Sequence, residues 1–225
     1  MPRTDETKAL DGSPPGPQAP RELVTPVDVA TSAHSFLSFL EENIVVIDFG
    51  QSFAINSPPN GYEAGTAMHY FSPETRFDNI VSSTSDIWGL ACAIFEIRAG
   101  RPLFTPFMAS HASVLSDNVF VLGKLPDPWW NAFKGRHECF EENGEPKPPY
   151  VMESIREQLE RIGVDDKPPR DDDGPMIEPR ETRLEEEEIV LLNDLLTMML
   201  KYRPEERMSI EQVVRHPWFK YTSRV

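Results

Sequence analysis

Long apolar runs are missing from this chain of 225 residues. No stretch approaches the ~20 consecutive apolar residues that a bilayer span needs, and the opening "MPRTDETKALDG" lacks the apolar segment of a secretory signal. The expectation is a cytoplasmic or nuclear protein without a membrane partner. Cysteine is scarce too. Cys92 lies in an apolar run and Cys139 in a polar one, so neither a disulfide framework nor a zinc site is indicated. The five histidines are scattered without metal-ligand spacing. Bases number 22 against 37 acids, a formal charge of -15. That balance argues against a nucleic-acid partner and favours basic ones.

What is present suffices for one sizeable core or part of a larger one, with 39% hydrophobic residues. Residues 1–43 are rich in Pro, Gly and polar side chains and read as irregular or extended. A β-branched run predicts a strand from Ile44 to Phe49, and a proline-punctuated loop follows it. The stretch "SSTSDIWGLACAIFEIRAG" predicts a helix with Ser83 as N-cap, Asp86 three residues on, and Gly100 as the stop. Its apolar residues lie nearly all round, which places it in the middle of a domain. A second helix is expected in "YVMESIREQLERIG", with Met152, Ile155, Leu159 and Ile162 on one face. Eleven acids against four bases between Asp165 and Glu188 read as a solvated acidic loop. In "EEEEIVLLNDLLTMMLKYR" acids fill the first turn of an amphipathic helix and bases its last, matching the macrodipole. Ser209 and Gln212 form a capping box for a final short helix, and residues 220–225 are a tail. The fold class that follows is mainly α with one small β element.

The triplet "DFG" at 48–50 closes the β-branched run, and alone it is compatible with ordinary turn chemistry. It is followed in fixed order by "GTAMHYFSPE" at 65–74, "SDIWGLACAIFEI" at 85–97 and "RPEERMSIEQVVRHPWF" at 203–219. This ordered set resembles the C-terminal lobe of the eukaryotic protein kinases over residues 44–219, part of an α+β fold whose N-terminal lobe is not expected in this chain. The resemblance implies ATP and Mg²⁺ as cofactors and Asp48 as a metal ligand. It implies that Phe49 packs behind Asp48, and that Gly50 gives the backbone freedom to enter an activation segment of residues 48–74. Ser72, Pro73 and Glu74 stand where the family has Ala-Pro-Glu, which implies a buried pair between Glu74 and Arg207. Asp86 would hydrogen-bond the backbone of a catalytic loop. Thr66 occupies the position that floors the substrate site in kinases acting on Ser and Thr. The "VLGKLPDPWW" stretch and the insertion of about 124–184 resemble the branch with cyclin-dependent, MAP and SR-protein kinases, and "GPQAPRELVTPVD" resembles fungal relatives of the last. Phe71 stands where many members of that branch have Arg.

Other kinase parts are not found. No two of the twelve glycines are two residues apart, so no GxG phosphate loop exists. Lys8 is the only Lys before Asp48, and Asp5, Asp11 and Asp28 are not followed five residues later by Asn. Two readings follow. One is a serine/threonine kinase C-lobe, inactive by itself for want of the Gly-rich loop, the strand Lys and the catalytic Asp. The other is an inactive pseudokinase-type module that binds basic, Arg/Ser-rich partners through the acidic insertion, with Asp171, Asp172 and Asp173 as docking carboxylates.

Overall fold

The computed structural model describes residues 4–6, 22–24, 45–57, 59, 62, 64–105, 110–164 and 183–221. Asp171, Asp172 and Asp173 lie outside the described residues. The chain divides into two compact units. The first contains β1 (Thr4–Glu6) and β2 (Glu22–Val24), which pair antiparallel with Thr4 opposite Val24. Paired strands thus stand inside the segment expected to be irregular or extended.

The second unit begins at Ile47 and is helical. In chain order it contains α1 (Pro73–Phe77), α2 (Ser83–Ala99), α3 (His111–Leu122), α4 (Trp129–Ala132), α5 (Arg136–Cys139), α6 (Ile155–Glu160), α7 (Glu186–Met199) and α8 (Ile210–Val213). The expected strand at 44–49 does not form. Residues 45–48 carry no regular secondary structure, and Val45, Val46 and Ile47 are exposed. A β-branched run becomes a strand only against a ladder partner, and none pairs with it among the described residues.

Helix α2 is the axis of this unit. Ser82, not Ser83, is its N-cap, and the Ser82 N–H donates to Ser85 Oγ at 3.2 Å. At the other end Gly100 takes φ 66°, a left-handed stop that favours glycine. Trp88, Ala91 and Phe95 of α2 are completely buried, together with Leu192, Leu195, Leu196 and Met199 of α7 and Leu159 of α6. A neighbouring cluster gathers Val119, Leu125, Trp130, Phe133 and Phe140 around α3, α4 and α5. Helix α6 is shorter than expected. The capping box of Ser154 and Glu157 starts it at Ile155, so Met152 falls before the helix on an exposed stretch. Lys201 and Arg203 fall beyond the end of α7 and not in its last turn.

The acidic stretch 185–188 is not simply solvated. Glu188 is buried and accepts two bonds from the Arg98 guanidinium at 2.8 and 2.9 Å, joining α7 to α2. Glu186 takes Arg156 at 2.6 Å, and Glu185 accepts the Tyr221 hydroxyl at 2.7 Å.

One ion pair ties together segments far apart in sequence. Arg207 donates to both carboxylate oxygens of Glu74 at 2.7 Å, and the two side chains are 0% and 2% exposed. Its remaining N–H groups reach the carbonyls of Lys201 at 2.7 Å, Thr84 at 2.8 Å and Tyr202 at 3.0 Å. All five guanidinium donors are used, which is what makes burial of the charge tolerable. Ser85 Oγ donates to Glu74 Oε1 at 2.9 Å, and the guanidinium lies 5.1 Å from the Trp88 ring centroid.

Removing either partner leaves the other buried and unpaired. Glu74→Ala and Arg207→Ala are each expected to destabilise the fold by about 3–5 kcal/mol in urea denaturation, and the double variant by less than their sum. Additive losses in that cycle would contradict the coupling. Burial acts to raise the Glu74 carboxyl, but the hydrogen bonds and charge of Arg207 outweigh it and hold it below its ordinary value of 4.5. The depressed carboxyl adds stability that is complete above 4.5 and is lost as pH falls through the lower folded value. Stability of the natural chain should therefore drop more steeply than that of Glu74→Gln as pH is lowered below 4.5. Parallel curves in denaturation melts would refute this assignment.

Candidate functional site

The segment between Asp48 and Glu74 is built from short turns. Asp48 takes φ 64° and ψ 61°, a left-handed conformation that a short acid tolerates, and precedes a 3-10 turn at Phe49–Gln51. Asp48, Phe49 and Gly50 are all exposed. Phe49 is 66% exposed.

The chain then folds back on itself. Tyr62 donates its hydroxyl to the Gln51 carbonyl at 3.2 Å and meets the Phe53 ring edge-on at 4.8 Å. Gly65 lets the backbone approach Gln51, whose side chain would lie 3.0 Å from any Cβ at that position. A second 3-10 turn, Met68–Tyr70, is fixed to α2 by the Tyr70 hydroxyl, which donates to Glu96.

Arg76 of α1 holds this turn from the other side. It donates to the Met68 carbonyl and to His111 Nδ1 at 2.9 Å, and its guanidinium lies 5.3 Å from the centroid of Phe71. Burial lowers the Arg76 guanidinium to about 10. Ser72 caps α1, Pro73 occupies its first turn, and Glu74 enters the ion pair with Arg207.

A cavity of about 570 Å³ opens above α2. Thr66, Ser72 and Asp86 line it together with Gln51, Tyr62 and Phe71. Asp86 keeps an exposed outer face, while burial of the remainder raises its carboxyl above the ordinary range. The structure thus brings Thr66 and Asp86 to one cavity, and leaves Asp48, Phe49 and Gly50 on an exposed turn outside its lining.

The donor set does not fit Mg²⁺ and ATP by itself. Asp48 supplies one carboxylate, and among the described residues no group of three or more His, Cys, Asp or Glu converges on a metal position. Mg²⁺ needs six oxygens in octahedral array, normally from one or two carboxylates, water and substrate phosphates.

Sequence reasoning did not find Ser85, Trp88 or Arg76. Ser85 carried a signal, since it stands three residues after the true cap, Ser82. The Arg76 contacts with Met68 and His111 have no signature at fixed spacing.

A family model described as protein kinase domain matches residues 36–219. The chain is 29% identical over 178 residues to a protein of Dictyostelium discoideum described as a probable serine/threonine-protein kinase dyrk2, covering 79% of this chain and 17% of that protein. It is 26% identical over 153 residues to serine/threonine-protein kinase SRPK of Physarum polycephalum, covering 66% and 32% of the two chains. With serine/threonine-protein kinase AFC3 of Arabidopsis thaliana it shares 27% over 187 residues, covering 80% and 42%. The chain spans less than half the length of each of these relatives. With its buried Glu74–Arg207 pair, central α2 helix and match over residues 36–219, the chain belongs to the protein kinase domain family.

Proposed function

We propose that this chain is the substrate-facing lobe of a serine/threonine protein kinase, whose whole protein transfers the ATP γ-phosphoryl group to protein Ser or Thr. In that reading Asp48 is a Mg²⁺ ligand, Thr66 floors the acceptor site, and Asp86 orients backbone placed over the cavity. The observation that carries it is the Glu74–Arg207 pair, which fixes the end of the 48–74 segment beside the cavity that Thr66 and Asp86 share. The place of action that suits this composition is cytoplasmic or nuclear.

Phosphoryl transfer depends on positioning and on stabilising charge at the transferred group. This chain's sequence has no GxG loop, no strand Lys and no catalytic Asp, and one exposed carboxylate cannot replace them. We infer that the chain alone neither binds Mg-ATP appreciably nor phosphorylates protein. Isothermal titration with Mg-ATP should show no saturable heat, and radiolabel transfer to a basic protein should stay at background. Transfer that vanishes in Asp48→Ala would overturn this.

A second reading, docking of basic Arg/Ser-rich partners without catalysis, has its own support. A cavity of about 900 Å³ between α3 and α6 is lined by Asp117, Glu153, Glu157 and Glu160 beside Arg101 and Arg161. Burial pushes the Asp117 carboxyl up to about 6, and its Oδ2 has no hydrogen-bond partner among the described residues. A guanidinium guest would supply the missing donors. An Arg/Ser-rich peptide should bind more tightly than a poly-Lys peptide of equal charge in fluorescence anisotropy, and Asp117→Asn should weaken it. Neutralising Asp171, Asp172 and Asp173 tests the acidic insertion in the same assay. Equal affinities, unmoved by either change, would leave only unspecific attraction of polycations.

A further inference from the structure

A separate cavity of about 380 Å³ lies where the C-terminal end of α3, the first turn of α6 and the last turns of α7 meet. That volume is within the range of small-ligand sites. Its lining includes three cations, Lys124, Lys201 and Arg203, against one carboxylate, Glu206. The excess runs against a chain whose formal charge is -15.

These cations are not consumed by strong pairs. Arg203 reaches Glu205 and Glu206 only at 4.0 and 3.9 Å, beyond hydrogen-bond distance. Among the described residues Lys201 has no carboxylate within salt-bridge range, and Lys124 rests its ammonium 5.1 Å from the Trp130 ring centroid. Gly144 packs closely on the base of Lys124, where a Cβ would come within 2.5 Å of the Lys124 Cβ.

Asn193 and Thr197, one turn apart on α7, line the same cavity, and their side chains have no hydrogen-bond partner among the described residues. Cations just past helix C-termini also complement the helix dipole. The dipole, however, does not call for a cavity that also presents the half-buried Asn193 amide and the exposed Thr197 hydroxyl on its wall.

We infer that this cavity binds a phosphate monoester, carried by a small molecule or by a phosphoserine side chain. Lys201 and Arg203 supply the charge, the Asn193 amide and Thr197 hydroxyl supply neutral donors, and Val121, Leu122 and Ile155 contact the carrier. Single exposed ion pairs are weak, so the cations must act together. A nucleic acid does not suit the site, because three cations cannot offset its repulsion by an acidic chain. The site uses neither Asp48 nor Thr66, so its failure would leave the kinase reading untouched.

The test titrates the isotope-labelled full chain with a capped Gly-phosphoserine-Gly peptide, its unphosphorylated counterpart and inorganic phosphate, followed by amide chemical shifts. The phosphopeptide should give saturable shifts at Lys124, Asn193, Thr197 and 201–203, and the hydroxyl peptide none. Lys201→Gln and Arg203→Gln should each weaken binding by about tenfold, and Lys134→Gln should not. Because the Lys201 carbonyl, not its side chain, serves Arg207, the substitution leaves the central ion pair intact. Equal affinity for inorganic phosphate assigns recognition to the phosphate group, and tighter peptide binding adds the carrier; both support the site. Absence of saturable shifts with every phosphorylated probe, or unchanged affinity in both variants, overturns it.

Discussion

Five N–H donors of one guanidinium set the geometry of the helical unit. Arg207 spends two on Glu74 and three on the carbonyls of Thr84, Lys201 and Tyr202. It thereby pins the start of α1, the cap region of α2 and the loop after α7 to one point. A buried charge is tolerated only when every donor is matched, and here every donor is. Lysine has the same charge but three donors and no planar fork, so it cannot replace this arginine.

From that point the rest of the site follows. Ser85 stands on the first turn of α2 because the helix is capped at Ser82, and this brings its hydroxyl to Glu74. With α1 fixed, Arg76 reaches back to the Met68 carbonyl and places the turn before Phe71. Tyr70 ties the same turn to α2 through Glu96. The cavity shared by Thr66 and Asp86 is therefore walled by a loop held at both sides, on a helix whose own core residues are fully buried.

Much of this was legible in the sequence because local chemistry is written locally. Ser209 and Gln212 box the start of α8, and Gly100 ends α2. The ordered motifs directed attention to Glu74 and Arg207, 133 residues apart, which meet in the structure. Other readings failed for identifiable reasons. The run "SSTS" offers several caps, and hydrogen bonding selects Ser82. At α6 the Ser154–Glu157 box overrode an apolar stripe that includes Met152. A β-branched run at 44–49 could not become a strand without a partner. Glu188 looked like one of a solvated series, yet Arg98 on a distant helix buries it. Where the outcome depended on tertiary partners, periodicity carried no information about them.

The central claim is that the fork of Arg207, not merely its charge, holds the end of the 48–74 segment. The Asp78 and Ile80 amides donate to the Glu74 carbonyl at 2.9 and 3.3 Å and report directly on that end. Native-state hydrogen exchange on Arg207→Lys is the decisive measurement. The account predicts that both amides lose protection by about tenfold or more, because lysine leaves carbonyls and one carboxylate oxygen unmatched. Protection at Asp78 and Ile80 equal to that of the natural chain would contradict it.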